Sequence, residues 1–129
     1  LAFSFRDRLK KMRDFRKFEV WQLSHIITLK VYELSRNFPR EELFGLTSQI
    51  RRSFASIGYN ISEGCGRNSD KEFANFINIA LGSASEAEYQ FLLARDLDYV
   101  EAENYDAIQE EIVLLKKKLV SLWNKLNNN

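Results

Sequence analysis

Six polar residues at helical spacing, Gln49, Arg52, Ser56, Asn60, Glu63 and Arg67, are the part of this chain best equipped for chemistry. Their separations of three, four, four, three and four keep them on one stripe of a 3.6-residue helix. Amide, guanidinium, hydroxyl and carboxylate groups in register favour partners of fixed geometry, whereas a solvated face carries interchangeable Lys and Glu. Two roles fit the stripe: a structural network between helices, and a surface for a ligand or nucleic acid. In the structural role, Gln49, Arg52, Asn60 and Glu63 join Glu72, Glu86 and Glu88 of the next helix. Two antiparallel helices turning near Arg67 and Asn68 bring Arg52 level with Ser83, Asn60 level with Asn75 and Glu63 level with Glu72. Arg52 is then expected to hold Glu86 or Glu88 in a partly buried, charge-assisted bond, and Glu63 to pair with Arg67 one turn along its own helix.

Other chemistry is thin. Glu63, Glu72, Glu86 and Glu88 are the potential paired carboxylates, yet facing helices would equally give them to Arg51 and Arg52. No nucleophile with a nearby base is readable. Gly64-Cys65-Gly66 is not a phosphate-binding loop, because it lacks the following Gly-Lys-Ser/Thr and succeeds a helix instead of a strand. His25 is the only histidine and has no Cys or carboxylate at metal-ligand spacing, so it reads as a packed or surface side chain. Cys65 is alone, which rules out an intrachain disulfide and gives no sign of an oxidising compartment. The expectation is a protein that is not an enzyme, with no catalytic residue, metal or cofactor.

Charge is more informative. Residues 1–17 hold seven cations, Arg6, Arg8, Lys10, Lys11, Arg13, Arg16 and Lys17, against two aspartates. Phe5, Leu9, Met12 and Phe15 recur along one side of that segment, the pattern of a short basic amphipathic helix. It fits an arm for nucleic acid or for an anionic membrane, and equally an extension packed on the bundle or on a neighbouring subunit. Arg51 and Arg67 extend the basic set. Residues 1–67 carry 13 Lys/Arg against 7 Asp/Glu and residues 68–129 carry 6 against 11, so the halves stand at +6 and −5. Such polarity steers self-assembly or attracts phosphate. With no base-reading motif present, nucleic-acid affinity would come from counterion release and fall steeply with salt.

The elements that must position these groups are helices. At 129 residues, with 45% hydrophobic and 29% charged, the chain suits one domain. One proline, five glycines and no strand-like alternation argue for an all-α fold, an antiparallel up-and-down four-helix bundle over 18–126. The basic N-terminal extension, 1–17, precedes it and a disordered tail, 127–129, follows. Helices are expected over 18–36, 43–63, 70–97 and 101–126. Asn37 in a left-handed cap and Pro39 close the first, Gly64 or Gly66 at positive φ closes the second, and a Ser69–Glu72 capping box opens the third. The last has a seam of Tyr105, Ile108, Ile112, Leu115, Leu119, Leu122 and Leu126 at alternating three and four spacings. Val113, Val120 and Trp123 form a second apolar line, which either widens the core or meets another subunit. Around Gly82 the third helix is small enough for close approach of another helix. The expected oligomer interface is therefore Gly82, Val113, Val120 and Trp123. No apolar run reaches signal-peptide or membrane-spanning length, so a cytoplasmic chain without membrane contact is expected.

Particular motifs point to a family. The run FGLTSQIRRS over 44–53, NISEG over 60–64, Arg67, Ser69, the Glu72-Phe73 pair and ALGSASEAE over 80–88 resemble the four-helix bundle proteins encoded in bacterial 23S rRNA intervening sequences. FEVWQLSH over 18–25 and the segment 32–39 fit the same pattern, so the likeness covers roughly 18–126. The resemblance implies an antiparallel four-helix subunit, assembly as a ring-like homopentamer and a basic surface for nucleic acid, RNA above DNA. It also implies an alternative, since the similar accessory protein of diversity-generating retroelements assists a reverse transcriptase: a scaffold that binds a protein partner. Two positions depart from the family. Gly58-Tyr59 stands where a proline often precedes the Asn-Ile pair, and Asp98 stands where a glycine usually precedes the tyrosine.

Overall fold

The computed structural model describes residues 4–6, 9 and 12–128. Four helices make up the fold: α1 (Glu19–Ser35), α2 (Leu46–Cys65), α3 (Asp70–Asp96) and α4 (Ala102–Asn127). Short 3-10 turns at Phe15–Lys17 and Arg40–Glu42 precede α1 and α2. Each helix packs antiparallel on the next and α1 closes against α4, the expected up-and-down bundle. The apolar stripe of α2 supplies the centre: Ile50, Phe54, Ile57 and Ile61 are all buried, as are Ile27 and Val31 of α1 and Ile112, Leu115 and Leu119 of α4. Facing them, α3 contributes Phe73, Ile77 and Phe91 with Ala80, Ala84, Ala87 and Ala94, whose small side chains admit neighbouring helices closely. The Phe91 ring meets Phe54 edge-on at 6.2 Å and stacks on Tyr105 at 5.0 Å, which locks α3 to both neighbours.

The helix ends differ in detail from expectation. Ser69 caps α3 as foreseen, its Oγ accepting from the Glu72 N–H at 3.1 Å. The second helix begins at Leu46 instead of residue 43, because 40–42 form a tighter turn and Glu42 Oε1 accepts from the Leu46 N–H at 3.2 Å. The other Glu42 oxygen accepts from the Tyr99 hydroxyl at 3.0 Å, tying the α1–α2 and α3–α4 connections together and raising the phenol pKa. Among the described residues no glycine has positive φ, and Asn37 does not take the left-handed cap. Gly66 sits at φ −82° with its N–H bonded to the Glu63 carbonyl and the Arg67 N–H bonded to that of Gly64, so a 3-10-type closure replaces the left-handed one. Among the described residues only Asp98 has positive φ, at 64°. There the Tyr99 N–H bonds the Ala94 carbonyl and the Asp98 N–H bonds that of Arg95, the paired bonds of a Schellman stop. The family's usual glycine at this position thus has its backbone reason, met here by an aspartate.

Candidate nucleic-acid interface

The expected basic residues divide into those presented to solvent and those used by the fold. Arg8, Lys10 and Lys11 lie outside the described residues. Arg6 and Lys17 are exposed, and so is Arg16, whose guanidinium lies 4.5 Å from the Phe15 ring centroid. Arg13 behaves differently. It is half-buried, pairs with Asp70 at the start of α3, donates from Nη1 to the Arg67 carbonyl at 3.1 Å and lies 4.8 Å from the Phe73 centroid. Contrary to its expected place on a nucleic-acid arm, Arg13 clamps the α2–α3 turn, because that turn leaves a carbonyl and a carboxylate within reach of one planar fork. Arg51 is likewise engaged at the end of α1, donating from Nε to Ser35 Oγ at 2.8 Å with its guanidinium 5.0 Å from the Tyr32 ring centroid. A cation there complements the helix C-terminus. Arg67 pairs with Glu63 at 3.1 Å, the expected i, i+4 contact, and remains exposed.

The polar stripe of α2 is split. Ser56 and Asn60 turn inward, where Ser56 Oγ meets Ser83 Oγ at 3.0 Å and Asn60 donates to the Ser56 carbonyl at 2.8 Å. Ser53 Oγ donates to Glu86 Oε1 at 2.7 Å. Arg52 therefore does not hold Glu86 or Glu88, and it is exposed. Burial of Ile50, Phe54, Ile57 and Ile61 fixes the rotation of α2, which brings Ser53 and Ser56 to the α3 side and leaves Arg52 and Gln49 at the rim. The register also lies one turn from expectation, with Ser56 in place of Arg52 opposite Ser83. Asn60 consequently bonds Ser56 of its own helix and not Asn75, which is exposed, and Glu72 faces its own cap instead of Glu63. Glu88 belongs to a different interface: it accepts from Gln109 at 2.7 Å and from Lys116 at 2.8 Å, both on α4.

The Lys116 hydrogen bond is the largest cause of a lowered Glu88 pKa, opposed by partial burial and aided by Gln109. A carboxylate that binds its proton less tightly when folded adds stability above its unfolded pKa and loses it as pH falls through the lower folded value. Acidification below the ordinary carboxylate range should therefore weaken the α3–α4 contact. In pH-resolved chemical denaturation, Glu88→Gln should cost about 1 kcal/mol at neutral pH and flatten the acid limb; an unchanged acid limb would rule this pair out as a contributor. Burial pushes the Cys65 thiol up to about 11, leaving it protonated at neutral pH and unsuited to nucleophilic work.

Two surface features flank these networks. Between α1 and α2 runs an open groove of about 420 Å³, lined chiefly by Trp21, His25, Leu29, Tyr32, Gly58 and Tyr59. The His25 ring stacks on Trp21 at 4.9 Å and 11°. The sequence carries the groove's signal as Trp21, His25, Thr28 and Tyr32 at spacings of four, three and four along one side of α1. On the opposite side, Val113, Val120 and Trp123 of α4 are exposed, and a Cβ on Gly82 would meet no atom within 4 Å. The second apolar line therefore does not belong to the core of the subunit. Among the described residues no cluster of His, Cys, Asp and Glu is arranged to hold a metal, and no helix is long and apolar enough to cross a membrane.

The family model for the 23S rRNA-intervening sequence protein matches residues 16–121, the whole bundle but for the end of α4. No curated protein matches. A solved structure from Bacteroides thetaiotaomicron VPI-5482, described as a protein of unknown function from the S23 ribosomal protein family, is 32% identical. The match covers 81% of this chain and 95% of that one, with a TM-score of 0.74. Sequence motifs, bundle topology and family match agree, and the chain belongs to the 23S rRNA-intervening sequence protein family.

Proposed function

We propose that this protein is a homo-oligomeric, non-catalytic bundle that binds nucleic acid, RNA above DNA, mainly through phosphates. The observation that carries the reading is the separation of its charge: the N-terminal segment holds an excess of cations, and Arg6, Arg16 and Lys17 stand in solvent. Membership of a family named for intervening sequences in 23S rRNA favours RNA. Self-assembly is supported by the unpartnered line Val113, Val120 and Trp123 together with the bare surface at Gly82. A ring would use two different patches per subunit, and repetition of the arm would turn a weak contact into a useful one.

The test removes residues 1–11, which spares the Arg13 clamp. Four cations leave with them, Arg6, Arg8, Lys10 and Lys11. Affinity for single-stranded RNA should fall, and the slope of log affinity against log salt should flatten by about two to three, with helicity unchanged. Full affinity after truncation would exclude the arm as the site. An apolar α4 face serves equally well for a protein partner, so an intact chain that forms oligomers in light scattering but binds no RNA at low salt favours the scaffold reading.

A further inference from the structure

We infer that the α1–α2 groove is a stacking site for unpaired bases, so that the preferred ligand is single-stranded and not duplex RNA; this rests on the nucleic-acid reading above. Aromatic rings are concentrated here in accessible positions: Tyr59 is 69% exposed, Tyr32 41%, and His25 lies flat on Trp21 at the surface. Among the described residues no carboxylate lines the groove, although the chain carries 18 of them. Each end bears an arginine lying against a lining ring, Arg16 on Phe15 and Arg51 on Tyr32. Cations at the ends and neutral π-faces between them match a strand whose phosphates are negative and whose bases stack without regard to identity.

The shape suits the same ligand. From Trp21 to Tyr32 the helix advances about 16 Å, the length of a few nucleotides of a single strand. The groove's depth comes from Gly58, where the absent side chain leaves Trp21 and Ser24 as the floor; a Cβ there would lie 3.6 Å from Trp21 Nε1 and 3.5 Å from Ser24 Oγ. Trp21 thus serves as an internal reporter.

The experiment uses the full chain carrying Trp123→Phe, so that Trp21 is the sole fluorophore of its kind, titrated with a short oligouridine and with an RNA duplex of the same length. Oligouridine should quench Trp21 emission, and the duplex should bind more weakly without quenching. Tyr59→Ala, at an exposed position that the core does not use, should lower single-strand affinity about tenfold and leave duplex affinity and the salt slope unchanged. Binding with silent Trp21 emission and no effect of Tyr59→Ala overturns the groove assignment while leaving the arm reading intact. Loss of oligomer mass in Tyr59→Ala also overturns it, by showing that a second copy of the chain fills the groove. Absence of any RNA binding removes both readings together.

Discussion

Gly64→Ala should destabilise the subunit by about 1–3 kcal/mol, a larger effect than any other single methyl added to its glycines. A Cβ at this position would lie 2.8 Å from both Phe73 Cδ1 and Phe76 Cβ. Phe73 cannot retreat, because it is buried and its ring is met edge-on by Phe18 at 5.4 Å. The extra methyl must therefore push α2 from α3 just where the connecting turn is shortest. Gly82→Ala is the control: it replaces a helix-interior glycine with nothing within 4 Å, so helix propensity should raise stability by up to about 1 kcal/mol. Urea denaturation of the two variants checks both signs. Equal stability of Gly64→Ala and the parent would show that the α2–α3 crossing is looser than described.

Arg13→Ala should cost about 2 kcal/mol despite lying in a segment that reads as a solvated basic arm. The change removes a charge-assisted pair with Asp70, a bond to the Arg67 carbonyl and the contact with Phe73. Partial exposure of Asp70 reduces the ionic share of this figure. Lysine at the same position keeps the charge but not the fork, so Arg13→Lys should recover less than half of the loss in thermal denaturation. If both variants melt with the parent, Arg13 is free and belongs back among the cations presented to RNA.

Much of the fold was legible because the apolar stripes of α2 and α4 are regular, Pro39 closes off α1, and Ser69 and Glu72 open α3. Rotation was harder to read. The stripe from Gln49 to Glu63 is a true helical line, but it lies at the edge of the interface, half against α3 and half in solvent, because burial of Ile50, Phe54, Ile57 and Ile61 fixes how α2 is turned. A one-turn change of register was enough to give Glu86 to Ser53 instead of Arg52. Composition likewise could not separate Arg13 from Arg16, since their roles differ only by which carbonyl, carboxylate or ring lies within reach in three dimensions. The aromatic groove escaped notice for a related reason: Tyr59 comes from a different helix than Trp21 and Tyr32, and only packing of α1 on α2 unites them.

Fluorescence anisotropy of a labelled single-stranded RNA, titrated with the intact protein from low to physiological salt, tests the central claim most directly. The account predicts saturable binding whose log affinity falls linearly with log salt, with a slope steeper than about −2, as several phosphate contacts on a single strand require. Anisotropy that stays flat at low salt, at protein concentrations where light scattering shows the assembly intact, would contradict it.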